Sequence, residues 1–215
     1  MFIKDLYLKF LTKKRDKYSK KLQSRLESKD FTLITSNCCG GIIYHRLGHK
    51  FLSPTINLWF TDEDYVTFIY NLKEFVEKGE LIEQDQTEFN YPVAKLKAPC
   101  GEITVYFMHY KTFEEANEKW IERCSRINWN KLVFIWEIKP DTKQSVIDKF
   151  NSFNAKNKLI YSMKIDCDSP YLVKINCKKD YFHGYAFQHK TKFASKRWLD
   201  DVDYVSLING TKENN

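Results

Sequence analysis

The sequence predicts an α/β fold: a mainly parallel mixed sheet flanked by helices, forming a single domain over residues 31–210. A basic amphipathic helix over residues 1–30 precedes it, and a disordered tail is expected at 211–215. Three observations predict this. From Phe31 onward, short β-rich runs alternate with stretches of helical periodicity, the pattern of strands connected through helices. At 215 residues and 43% hydrophobic, the chain can bury a sizeable core yet is short for two domains. No linker of biased composition and no internal repeat interrupts the alternation.

The elements follow in order. Ile3, Leu6, Tyr7, Phe10, Leu11, Tyr18, Leu22 and Leu26 recur at helical spacing, with Lys13, Lys14, Arg15, Lys17, Lys20, Lys21 and Arg25 between them. FTLIT (31–35) reads as the first strand and TINLWF (55–60) as the second. Asp62 to Val76 reads as a helix with an acidic first turn and Tyr65, Phe68, Ile69, Leu72 and Phe75 along one face. VAKLK (93–97) and EITVYFMHY (102–110) read as a hairpin through Ala98-Pro99-Cys100-Gly101. The helix over 112–128 is the most strongly marked, with Thr112 as N-cap ahead of Glu114 and Glu115, and with Trp120, Cys124 and Ile127 aligned. KLVFIWEI (131–138), a helix over Gln144 to Phe153, KLIYSMKI (158–165), YLVKINC (171–177) and a last strand DYVSLI (203–208) complete the set, and Asn214-Asn215 should fray.

Composition narrows the function. The start MFIKDLYLKFLTKKRD is too charged for a signal peptide and no apolar run is long enough to span a bilayer, so a cytoplasmic protein is expected. Cys38, Cys39, Cys100, Cys124, Cys167 and Cys177 lack the paired spacing of a zinc site, and reduced thiols are the default. Of the net charge of +7, six charges lie in residues 1–30, which hold ten Lys or Arg against four Asp or Glu. The rest of the chain is nearly neutral, so a nucleic-acid partner is not indicated. The basic helix suits peripheral contact with an anionic membrane at its inner face; a packed helix with solvated lysines is the competing reading.

Chemistry concentrates in TSNCCGGIIYHRLG (35–48), directly after the first strand. A strand leading through Gly40 and Gly41 into a helix places backbone amides where they can bind an anion or oxyanion, and it places Cys38 where the helix dipole favours thiolate. The glycine pair also fits a tight turn that demands unusual dihedrals. Neither a Walker loop nor a dinucleotide fingerprint is present, and the sequence names no cofactor. His109, at the end of the run 102–110, is expected at a strand's carboxyl edge, where open α/β sheets place ligands. Arg123 and Arg126 follow on the next helix as a candidate anion clamp; a solvated helix face is the bland reading. Asp166-Cys167-Asp168 has a spacing used to hold a metal and a sugar diphosphate, but Asp62-Glu63-Asp64 and Asp201-Val202-Asp203 repeat it, and no metal ligands are assigned.

Asn37-Cys38-Cys39-Gly40-Gly41, Ser53 to Phe60, His109-Tyr110, Glu114-Glu115-Ala116, Trp120, Arg123, Arg126-Ile127-Asn128 and Asp203 to Asn209 together resemble a bacterial family of unknown function associated with exopolysaccharide biosynthesis. Its members are sometimes labelled acyltransferases. The resemblance spans most of residues 31–209 and leaves the basic helix outside. Two departures stand out: Ser36-Asn37 replaces a pair of asparagines, and Trp136 to Asp141 replaces a segment rich in carboxylates, which puts a carboxylate role at that loop in doubt.

Residues and resemblance together lead to the expectation of a transferase of an acyl or related group, acting on a lipid-linked sugar or polysaccharide precursor of capsule, exopolysaccharide or lipopolysaccharide. Cys38 is the expected nucleophile or site thiol and His109 the general base. Asn37, Gly40, Gly41, Tyr110, Trp120, Arg123 and Arg126 are the expected binding residues. A metal-dependent glycosyltransferase using an Asp-x-Asp pair, and a non-enzymatic carbohydrate-binding protein presenting exposed aromatics, are the alternatives.

Overall fold

A computed structural model describes residues 2–85, 88–177 and 184–211, with side chains from residue 5 onward. The expected fraying at Asn214-Asn215 lies outside the described residues. The chain runs through α1 (Phe2–Gln23), β1 (Thr32–Thr35), α2 (Cys39–Arg46), α3 (Asp62–Tyr70), α4 (Leu72–Lys78), β2 (Glu80–Glu83), β3 (Val93–Ala98), β4 (Gly101–Tyr106) and α5 (Phe113–Cys124). It continues through β5 (Leu132–Glu137), α6 (Gln144–Ser152), β6 (Lys158–Met163), β7 (Leu172–Ile175) and α7 (Tyr204–Asn209), with short 3₁₀ turns at Tyr185–Phe187 and Trp198–Asp201.

Strands β1, β5, β6 and β7 lie in that order, all parallel, with Thr32 opposite Leu132 and Phe134 opposite Lys158. Their near-continuous apolar sequences follow from burial on both faces, because helices cover a parallel sheet on each side. Successive residues point into two separate cores: Ile34, Phe134, Trp136 and Ile160 pack with α3, α5 and α6, whereas Leu33, Val133, Ile135, Leu159 and Tyr161 pack with α2 and α7. The second sheet, β2-β3-β4, is antiparallel and lies over the first core. The α/β class and the leading helix are as the sequence predicts, with the antiparallel strands forming a sheet of their own.

Four elements differ from expectation. Residues 55–60 form no ladder: the Thr55 hydroxyl takes the Thr35 amide at 3.0 Å and Phe60 N donates to Ser36 O at 3.0 Å, so the segment covers the free edge of β1 largely through side-chain bonds. The run 102–110 stops being a strand at Tyr106, and His109 sits in the turn beyond it, on the antiparallel sheet. The helix over 62–76 divides at Asn71, whose side chain competes for the Thr67 carbonyl at 3.0 Å. The run 203–208 folds as the cap and most of the helix α7 (Tyr204–Asn209) instead of a strand. Asp203 caps it by accepting from Ser206 N, Gly210 closes it at φ 74°, and Tyr204, Val205, Leu207 and Ile208 are buried at helical spacing.

The leading helix is only half free. Leu11 and Leu22 are buried, Gln23 donates to Arg46 O at 3.1 Å, and Arg25 just beyond it pairs with Asp203, so its second half belongs to the fold. Leu6, Leu8 and Phe10 in its first half stand exposed.

Candidate functional site

The chain leaves β1 through Ser36 and Asn37 and enters α2 at once. Asn37 works in two directions: its Oδ1 accepts from Cys39 N at 3.0 Å, and its Nδ2 donates to Glu137 Oε2 at 2.5 Å. The first bond closes the turn as an Asx cap would, and the second ties that turn to the last residue of β5. Gly40 is needed for space: a Cβ there would lie 2.7 Å from Thr35 Oγ1, so only glycine lets α2 approach β1 this closely. Neither Gly40 nor Gly41 has a positive φ, which replaces the expectation of unusual dihedrals with one of close packing.

Beside this turn opens a cavity of about 910 Å³. Asn37, Cys38, Gly41 and His109 all border it, so the structure brings together four of the residues singled out in the sequence. Gly41 N belongs to the first turn of α2, ahead of the helix-type bond that Ile42 N makes to Cys38 O at 3.3 Å, and a first-turn amide has no intrahelical acceptor. Cys38 is buried, with Sγ 3.8 Å from Leu58 O. Burial, with the charge of Glu137 adding to it, pushes its thiol up to about 12, whereas the helix position suggested a depressed value. Desolvation outweighs the dipole here because a thiolate in this place would lose nearly all its water. His109 is exposed, and its backbone amide donates to the Asn57 carbonyl at 3.4 Å. Among the described residues no hydrogen bond joins Cys38 to His109.

The remaining sequence candidates lie behind the cavity wall. Arg123 is buried, donating to Ile56 O at 3.2 Å and to the Tyr110 hydroxyl at 2.5 Å, while Tyr110 donates to Ile56 O at 3.1 Å. Arg126 donates to Phe51 O at 3.2 Å and pairs with Glu122. These two arginines therefore hold Phe51 and Ile56 from behind, and neither borders the cavity. Trp120 sits in the core against Phe68 and Phe107.

Several residues of the cavity carry no local motif. Asn57 borders it in a left-handed conformation at φ 63°, uncommon for a residue with a side chain. Arg15, His45, Arg46, His189 and Arg197 contribute basic and imidazole groups to its lining, together with the carboxylate of Asp16. Beneath the turn lies Glu137, fully enclosed; burial raises its carboxyl to about 7 against the opposing pull of Lys139, Tyr161 and Asn37. A buried carboxylate thus stands at the end of β5, at the loop where the sequence departures had put such a role in doubt. The three Asp-x-Asp-type segments are engaged elsewhere. Asp62 holds Trp136 and Thr142, Asp166 pairs with Lys174, Asp201 with Lys190 and Asp203 with Arg25. Among the described residues no group of three His, Cys, Asp or Glu side chains could hold a metal ion. Large aromatics are mostly interior, with Phe10, Tyr70, Trp129 and Phe193 the exposed ones among the described residues. Nor is any described helix long and apolar enough to cross a membrane.

A protein of Haemophilus influenzae described as an uncharacterized protein is 30% identical over 206 residues, which is 94% of this chain and 96% of that protein. A family match runs over residues 9–209, so most of α1, which the sequence resemblance left outside, is included together with every residue of the cavity. The chain belongs to the family described as a domain of unknown function, DUF1919.

Proposed function

We propose that this protein is a transferase that moves an acyl or related group onto a lipid-linked or polymeric precursor of a bacterial surface polysaccharide, on the cytoplasmic side of the membrane. One observation supports the reading above the others: Asn37, Cys38, Gly41 and His109 share a single cavity beside the carboxyl end of β1, where parallel sheets collect ligands. His109, exposed to that cavity, is the general base that removes the proton of an acceptor hydroxyl as its oxygen attacks the acyl carbonyl. The Gly41 amide is the donor to the oxyanion that forms, and collapse expels the donor's leaving group with a proton. With its thiol raised to about 12, Cys38 fits the role of a site thiol packed against the acyl group better than that of a resting nucleophile. Leu6, Leu8 and Phe10, exposed beside Lys9 and Lys13, suit docking on an anionic bilayer, where the precursor would be presented.

The test is release of free thiol from short-chain acyl thioesters in the presence of oligosaccharide acceptors. Acceptor-dependent release that disappears in His109→Ala supports the reading. Failure with every thioester, together with metal-dependent turnover of a nucleotide sugar, would overturn it.

A further inference from the structure

One wall of the cavity gathers an excess of positive charge. Arg15 of α1, Arg46 of α2 and Arg197 border it, against one lining carboxylate, Asp16. Arg46 is already paired: it meets Asp200 at 2.6 Å with both side chains almost fully enclosed, and it donates to Ser195 O at 2.6 Å. Asp200 in turn accepts from Arg197 N at 2.6 Å and from the Tyr204 hydroxyl at 2.9 Å, so its charge is engaged within the wall.

The Arg15 and Arg197 guanidiniums have no such partner among the described residues. Their bonds run to carbonyl oxygens, of Lys192 at 3.5 Å and of Phe187. The Nε of each, and Nδ1 of His189, are shut from water with no hydrogen-bond partner among the described residues. His189 and Arg197 face each other across an isolated antiparallel bridge, which fixes their spacing. A buried donor left unpaired has given up its water without a protein partner to replace it, which is costly. Crowding adds to that: burial, then Arg15, Arg197 and Arg46, hold His189 below its usual value, and burial followed by Arg46 does the same to Arg197. An anion seated in the cavity beside these groups offsets the crowding of positive charge and engages the guanidinium nitrogens that face the cavity.

We propose that Arg15, His189 and Arg197 form a phosphate-binding subsite, and that the ligand of this cavity carries a phosphate or diphosphate group. The assignment rests on the cavity being the working site, though not on the kind of group transferred. Guanidinium forks match tetrahedral phosphate oxygens in pairs, and the imidazole adds a donor once protonated beside the anion. Because the same cavity extends to Asn37, Cys38 and His109, a phosphate held at the arginines directs the organic part of its ligand toward those residues. A soluble sugar phosphate and a phospholipid-like headgroup share this chemistry.

The experiment is calorimetric titration of the full chain with inorganic pyrophosphate at low ionic strength, repeated for Arg15→Gln, Arg15→Lys and Arg25→Gln. Arg15 holds a single long bond, so its variants should fold, and near-UV circular dichroism checks that they do. Binding by the wild type should weaken at least about tenfold in Arg15→Gln and less in Arg15→Lys, which keeps the charge and loses the fork. Arg25→Gln, whose partner Asp203 lies outside the cavity, should bind as the wild type does. Phosphatidic acid vesicles separate the two sources: release of the protein from them by pyrophosphate assigns the subsite to a headgroup, and pyrophosphate binding with no effect on vesicles assigns it to a soluble ligand. No pyrophosphate binding by the wild type at about 10 mM, or equal weakening in Arg25→Gln, overturns the subsite. Binding without any acyl transfer would leave the subsite standing and remove the proposed reaction; transfer that pyrophosphate neither inhibits nor accompanies would do the reverse.

Discussion

Asn37 donates to Glu137 across the ends of two neighbouring parallel strands, at 2.5 Å, and so couples the turn that bears Cys38 to a fully buried carboxyl. That carboxyl ionises near 7 in the fold and near 4.5 outside it, because burial penalises its charged form. The folded protein therefore holds a proton between those values that the unfolded chain has released. The associated stability is complete below pH 4.5 and is lost as pH rises through about 7. Glu137→Gln removes this slope and keeps an acceptor for Asn37. Denaturant melts at pH 5 and pH 8 should show the variant gaining about 1–3 kcal/mol on the wild type over that interval. Parallel curves for the two proteins would show that Glu137 ionises normally.

Cys38 should behave as a protected thiol. In the native protein iodoacetamide should label the half-buried Cys100 and Cys167 before Cys38, with mass-spectrometric mapping as the readout. Cys38→Ser should keep transferase turnover within about tenfold, whereas His109→Ala should lower kcat by roughly 10²–10⁴. Cys38→Ala should cost about 1–2 kcal/mol of stability, the loss of one small buried group. Trapping of an acyl group on Cys38 would instead make it the nucleophile.

The two glycines should separate cleanly. Gly40→Ala forces a Cβ against Thr35 and should destabilise the fold by about 1–3 kcal/mol. At Gly41 the nearest atoms to an added Cβ are Ile56 Cγ2 at 3.5 Å and Asn57 Oδ1 at 3.6 Å, so alanine fits without strain. Thermal melts should therefore drop for Gly40→Ala alone, and any effect of Gly41→Ala should appear in ligand binding.

Removing residues 1–10 should leave a folded protein, because the contacts of α1 begin in force at Leu11. Removing residues 1–30 strips Leu22, Arg15 and the Arg25–Asp203 pair and should lower the melting temperature markedly. Liposome co-sedimentation then isolates the exposed tip: full-length protein should pellet with anionic vesicles at low salt, and the shorter truncation should stay in solution. Equal pelleting of both would place the lipid contact elsewhere.

What the sequence made legible follows from where the physics is local. The strands of the parallel sheet could be read from their continuous apolar runs, and α5 from Thr112, whose hydroxyl accepts from Glu115 N at 3.2 Å as expected. TINLWF misled because its β-branched residues serve an edge through the Thr55 hydroxyl, and DYVSLI because the Asp203 cap and the Gly210 stop outweigh its strand composition. Asn37, Cys38 and Gly41 were visible as a turn after a strand. Arg15, His189 and Arg197 were not, since they come from opposite ends of the chain and meet only by folding, and Arg123 looked like a clamp because sequence cannot show that Ile56 O and Tyr110 already occupy it.

The pairing of β1 with β5 carries a kinetic consequence. Thr32 meets Leu132 only after the segment bearing α2, α3, α4, the antiparallel sheet and α5 has been looped out between them. Closing so long a loop is slow, and its entropy must be met before the sheet contacts compensate. The antiparallel hairpins and α5 rely on nearer contacts and should organise first, delivering Asn57 and His109 as a preformed shoulder. The Asn37–Glu137 link can form only when β5 docks beside β1, so the cavity should be among the last parts of the molecule to take shape and among the first to open in native-state hydrogen exchange.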